Sequence, residues 1–101
     1  MRSSRRSDPQ FFLIEVEGPG LDGLTYKMFY CRISRLAAII ELREYRLPIR
    51  GVKTRLHRLE FIVRTFRPQV LKTCISQLQK HRTGITVTVK PVNYEITLPI
   101  Y

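Results

Sequence analysis

Chain-breaking residues set the element lengths available to this protein. Gly18-Pro19-Gly20, Asp22-Gly23, Pro48, Pro68, Gly84 and Pro91-Val92-Asn93 punctuate its 101 residues, and elements stop or turn at such positions. The longest unbroken apolar run, Leu36-Ala37-Ala38-Ile39-Ile40, falls far short of the roughly 20 residues a membrane-spanning helix requires. A signal peptide is not expected either, because the basic Met1–Arg6 stretch leads into Asp8 and Pro9 and Phe11–Ile14 is too short for its apolar region. The length fits one domain.

Between the breaks, hydrophobic spacing assigns the elements. Phe11–Glu17 alternates and stops at Gly18, as a strand does. Leu24–Arg32 resumes with β-formers, with Tyr26, Met28 and Tyr30 on one face, which predicts a hairpin around the glycine-rich loop. That loop lacks the Lys and Ser/Thr of a phosphate-cradling loop, and its Pro19 removes a backbone donor. Ser34 is a suitable cap for a helix over Arg35–Leu47, where Leu36, Ile39, Ile40 and Leu47 recur at near-helical spacing before Pro48 closes the segment.

Val52–Phe66 supports both periods. A helix would gather Val52, Leu56, Leu59, Val63 and Phe66 but strand Phe61 on the opposite face. A strand accounts for all of them if a bulge near Arg58-Leu59 flips the register, and the β-branched content favours that reading. Pro68 suits a first helical position; Val70, Leu71, Cys74, Ile75 and Leu78 then mark one helical face through Arg82, with Gly84 as a terminating residue. Ile85–Lys90 and Tyr94–Ile100 alternate around Pro91-Val92-Asn93 and predict a closing hairpin. The expected fold is α+β: after a flexible basic arm (residues 1–8), one domain (residues 9–101) with a mainly antiparallel sheet of four to five strands and two helices on one face.

Charge narrows the function. The net charge is +10, and Arg32–Arg82 carries all of it, with 13 basic residues against Glu41, Glu44 and Glu60. The 13 Arg and 5 Lys of the chain favour forked contacts to phosphate over simple solubilising charge. The expected partner is therefore nucleic acid, RNA or single strands in preference to sequence-specific DNA. The expected phosphate contacts are Arg43, Arg46, Arg50, Lys53, Arg55, Arg58, Arg64 and Arg67, with Tyr45, Phe61 and Phe66 interleaved as stacking platforms. The competing reading is an oligomerising structural or accessory protein, matrix-like and of the kind small viruses encode, that lays this charge on anionic membrane or an acidic protein. In either case the apolar alternation of Ile85, Val87, Val89, Tyr94, Ile96 and Leu98 predicts a homo-oligomer assembled through the C-terminal hairpin.

Signatures of catalysis do not stand out. Cys31 and Cys74 sit among apolar neighbours and read as buried, reduced thiols of an intracellular protein. With His57 and His81 they offer zinc-binding residue types, but without a paired chelate spacing, so no metal or other cofactor is expected. The histidines lie beside basic residues and the carboxylates read as local charge balance, hence no enzyme is expected. The aromatic motifs of RNA-recognition domains, the GXXG loop and C2H2 zinc spacing are absent.

Overall fold

A computed structural model describes residues 8–51 and 54–93. Six elements follow in the order β1 (Gln10–Glu17), α1 (Gly23–Leu36), β2 (Ala38–Pro48), β3 (Thr54–Thr65), α2 (Pro68–Lys80) and β4 (Thr86–Pro91). The strands form one antiparallel sheet ordered β2-β3-β1-β4, and this β-α-β-β-α-β arrangement is the ferredoxin-like topology. The α+β class with a four-stranded antiparallel sheet and two helices stands as expected from the sequence.

Two expected elements exchange identities. Leu24–Arg32 is not the second strand of a hairpin but most of α1. Asp22 caps that helix, its carboxylate accepting a hydrogen bond from the Thr25 amide at 2.8 Å. Thr25, Phe29 and Ile33 then recur at a spacing of four and are buried. The alternation of Tyr26, Met28 and Tyr30 is a by-product of a helix with aromatic flanks. Arg35–Leu47 is conversely not a helix: α1 ends at Leu36 and β2 runs from Ala38 to Pro48. Ser34 caps nothing, its hydroxyl donating to the Cys31 carbonyl within α1 at 3.0 Å.

The assignments of β1, β3, α2 and β4 agree with the sequence reading. The bulge in β3 falls at His57, where Tyr45 pairs with Arg58 and Arg46 with Leu56, one residue before the expected flip. It turns Leu56 and Leu59 onto one face despite their odd spacing. The second strand expected at Tyr94–Ile100 and the basic arm expected over residues 1–8, apart from Asp8, lie outside the described residues.

Alternation gives the sheet one buried face. Phe12, Ile14 and Val16 of β1 and Leu59, Phe61 and Val63 of β3 pack against Phe29 and Ile33 of α1 and Leu71, Ile75 and Leu78 of α2. Leu21, Leu56 and Ile85 close the end of this core. Here two loops cross at van der Waals distance: the Gly20 amide donates to the Gly84 carbonyl at 2.8 Å, and a Cβ on Gly20 would lie 2.5 Å from the Thr83 carbonyl oxygen. The glycine loop is thus a crossing point for backbone. No helix among the described residues is long and apolar enough to cross a membrane.

Gly20→Ala should therefore lower stability by at least about 1 kcal/mol, since backbone has to move aside. Gly23→Ala, at the open first position of α1 with nothing within 4 Å, should be neutral or stabilising by up to about 1 kcal/mol. Urea denaturation of the two variants checks the contrast.

Candidate functional site

The two faces of the sheet carry different chemistry. Glu15, Glu17, Glu41 and Glu60 lie on the face that no helix covers, together with Arg43, Arg58 and Lys90, as the pairing register requires. Arg58 sits at the centre. Its guanidinium donates to Glu17 at 2.9 Å and Glu60 at 2.8 Å and also to Glu15, while its carbon lies 5.9 Å from the centre of the Tyr45 ring. Tyr45 donates its hydroxyl to Glu60 at 3.0 Å. Arg43 pairs with Glu41 at 2.8 Å and approaches Glu60 at 3.9 Å, and Lys90 reaches Glu15 at 3.3 Å. Burial works against the charged form of Glu60, but hydrogen bonds from Arg58 and Tyr45 and the charges of Arg58 and Arg43 outweigh it and hold its pKa below the ordinary 4.5.

This network occupies part of the expected phosphate-binding set. Arg58 is held by three carboxylates, and Arg43 and Arg46 each have a glutamate, Arg46 pairing with Glu44 at 3.0 Å. Exposed pairs such as Arg46 with Glu44 are worth only about 0–1 kcal/mol, whereas Arg58 would have to abandon two largely buried acids. Arg55 donates to the Pro19 carbonyl at 2.6 Å. Arg50 is exposed beside the turn between β2 and β3, and Lys53 lies outside the described residues.

Arg64 and Arg67 are exposed and have no carboxylate partner among the described residues. They flank Phe66, whose surface is 58% exposed, at the junction of β3 and α2. Thr65 builds this junction. Its buried hydroxyl donates to the Leu36 carbonyl at the end of α1 and accepts from the Arg67 amide, both at 3.0 Å. Arg35, next to Leu36, is thereby brought to the same end of the molecule. Lys72 on the second turn of α2 stands 5.2 Å from the centre of the Phe12 ring. Of the three expected stacking aromatics, Phe66 and Tyr45 are exposed, but Phe61 is fully buried in the core and cannot take that role.

The helical layer continues the imbalance: Lys27, Arg32 and Arg35 on α1, Lys72 and Lys80 on α2, and Arg82 beyond it all lack a carboxylate partner among the described residues. Asp22, at this layer's border, is committed to capping α1, and the Thr25 amide holds its pKa below the usual carboxylate value. The set chosen from sequence contains none of these helix cations. Their signal was present as two acid-free stretches, residues 23–40 and 61–94, which contain the two helices.

The residues expected to oligomerise are differently placed. Ile85 belongs to the core, and Val87 and Val89 pack against it; Tyr94, Ile96 and Leu98 lie outside the described residues. The outer edge of β4 has no strand beside it among the described residues. Cys74 is half-buried, but Cys31 is exposed on α1 rather than buried, because a helix turns position 31 away from the core stripe Thr25-Phe29-Ile33. No group of three His, Cys, Asp or Glu among the described residues could hold a metal ion.

No family model matches the chain, and no curated protein does. Among solved structures, an unknown protein from Galdieria sulphuraria superposes with a TM-score of 0.67 at 23% identity, covering 91% of this chain and 55% of that one. This chain thus spans about half the length of that protein. A putative PII-like signalling protein from Thermus thermophilus gives 0.51 at 20% identity, covering 83% and 86% of the two chains. A DUF3240 family protein from Shewanella baltica gives 0.52 at 12% identity, covering 89% and 98%. At these identities the likeness is one of fold.

Replacing Arg58 with Gln should cost about 1–3 kcal/mol by leaving largely buried carboxylates without their donor. Because the folded-state pKa of Glu60 lies below its unfolded value, its contribution is present above about pH 4.5 and is lost as the pH falls through the folded pKa. Urea midpoints measured from pH 7 down to pH 3 should fall at the acid end in the unmodified protein, and less steeply in the Arg58→Gln variant.

Proposed function

We propose that this protein is a nucleic-acid-binding module, taking RNA or single strands in preference to sequence-specific duplex, and that the β3–α2 junction is its principal contact. One observation carries the reading: a well-exposed aromatic ring, Phe66, is flanked in sequence by two exposed arginines, Arg64 and Arg67, that have no carboxylate partner among the described residues. Unpaired guanidinium groups supply forked contacts to phosphate, and an exposed ring accepts any base on its face. Arg35 adds a third cation at the same end. The role is binding and positioning, without a reaction of its own. Pairing of two chains along the outer edge of β4 belongs to the same reading, since an edge strand offers unpaired backbone groups to a second copy.

Each of Arg64→Gln and Arg67→Gln should weaken binding to an oligonucleotide and lower the slope of log affinity against log salt by about 0.7–0.9. Phe66→Ala should cost about 1–3 kcal/mol of affinity, with little change in slope. Because the three side chains are exposed, thermal stability should stay near that of the unmodified protein. Fluorescence anisotropy between 50 and 200 mM salt checks all three. Affinity indifferent to salt, or equal affinity for anionic vesicles or an acidic peptide and for oligonucleotide, overturns the proposal. Sedimentation at ~100 μM tests the pairing, and a monomer at that concentration removes it.

A further inference from the structure

The groove between the two helices carries two guanidinium groups, Arg32 and Arg82, beside apolar side chains. α1 and α2 run antiparallel: Thr65 joins the end of α1 to the start of α2, and Arg82, beyond the end of α2, reaches back to Met28 in the first half of α1, its Nη2 lying 3.1 Å from Sδ. On α1, Met28, Arg32 and Arg35 follow one another at i, i+4 and i+7 and so share a face. On α2, Val70, Cys74 and Gln77 do the same, and His81 extends their row.

The surface is already shaped. A cleft of ≈ 360 Å³ lies between Met28 and Arg32 on one side and Cys74, Gln77 and Leu78 on the other, closed at its end by His81 and Arg82. A second cleft of ≈ 360 Å³ adjoins it along α2, shares Cys74 and Gln77, and continues to Val70. Val70 is one turn from Phe66. Among the described residues no carboxylate lines either cleft, so none of these repels an anion. A track that carries two guanidinium groups at one end, Arg32 and Arg82, and continues along α2 over Val70 and Cys74 between the neutral Gln69, Thr73 and Gln77 complements a chain that is itself apolar in its bases and anionic in its backbone. A duplex cannot offer bases and phosphates to one narrow groove in this way.

We infer that a single strand of nucleic acid lies along the α1–α2 groove, with one end at Phe66 and Arg67 and the other at His81 and Arg82. This rests on the proposed nucleic-acid function and specifies its ligand. A 13-residue helix at ~1.5 Å per residue gives the groove a length near 20 Å, which holds about six nucleotides at a stacked spacing of ~3.4 Å. Bases stack first on Phe66 and then lie over Val70, Cys74 and Met28, while Arg35, Arg32 and Arg82 meet successive phosphates.

The two cysteines provide the test in the unaltered chain. Cys74 lies where the two clefts meet, and Cys31 is exposed outside both. Iodoacetamide labelling read by mass spectrometry, with and without oligouridine at 50 mM salt, should show Cys74 labelling slowed several-fold by the strand and Cys31 unchanged. Affinity should rise from three to six nucleotides and level off beyond. Arg32→Gln and Arg82→Gln should each weaken the hexamer roughly 3- to 10-fold. They should leave the trimer, seated at the junction, as it was. If the trimer binds as tightly as the hexamer and Cys74 labels at an unchanged rate, while Phe66→Ala still weakens binding, the groove is not the path although the junction reading stands. Equal protection of both cysteines also overturns the path. If no oligonucleotide binds, the nucleic-acid reading and the path both fail.

Discussion

Side chains alternate across a strand, and the two central strands use that rule to sort the whole molecule. In β1, Phe12, Ile14 and Val16 turn one way and Glu15 and Glu17 the other; in β3, Leu59, Phe61 and Val63 oppose Arg58 and Glu60. One face is therefore dry and receives the helices. The other becomes a salt-bridged lattice in which Arg58 holds three carboxylates. Since four of the eight acids are assembled there, much of the excess positive charge of the chain emerges elsewhere, on the helices and at their junction with the sheet. The separation of core from solvent and the separation of neutralised from free cations are one geometric event.

Thr65 links that sorting to the candidate site. A hydroxyl buried at the end of β3 needs partners, and it finds them in the last carbonyl of α1 and the Arg67 amide that opens α2. Satisfying this one group fixes where two helices meet the sheet, and with them Arg35, Phe66 and Arg67. Pro68 follows at a first helical position, where its missing N–H costs nothing. The chain must turn outward between Thr65 and Pro68, so Phe66 has no core to enter and stays exposed. Nearby, Lys72 spends part of its charge on the Phe12 ring, whereas Arg64 and Arg67 have no such contact among the described residues.

Much of the candidate site could be read from the chain, but not its boundaries. Arg64 and Arg67 belong to a basic central segment that is evident from charge alone, and Phe66 stands out between them. Arg43 and Arg58 look equivalent to them in sequence. They differ because each shares a strand face with a glutamate two positions away, Glu41 or Glu60, and because register adds Glu60 beside Arg43 and Glu17 beside Arg58 from the neighbouring strand. The helix cations are not marked out in the chain, because Arg32 and Arg35 fall at the boundary between the strand and the helix that periodicity suggests, and nothing local sets Lys27 or Arg82 apart.

The sequence by itself determined the α+β class, the strands β1 and β4 and the helix α2, because in those segments one period clearly exceeds the other or a proline or glycine marks the end; for β3 both periods fit, and only its β-branched content favoured the bulged strand. It also determined that the protein is strongly basic. Tertiary structure decided the stretch from Gly23 to Pro48. There Tyr26, Met28 and Tyr30 match a strand as well as Thr25, Phe29 and Ile33 match a helix, and only the fit of Phe29 and Ile33 into the core breaks the tie. It decided as well which arginines remain free. Pairing a charge depends on which strand face it occupies, as for Arg43 with Glu41 and Arg46 with Glu44, as well as on what lies across the sheet, and strand register is a long-range property that no local window of residues contains.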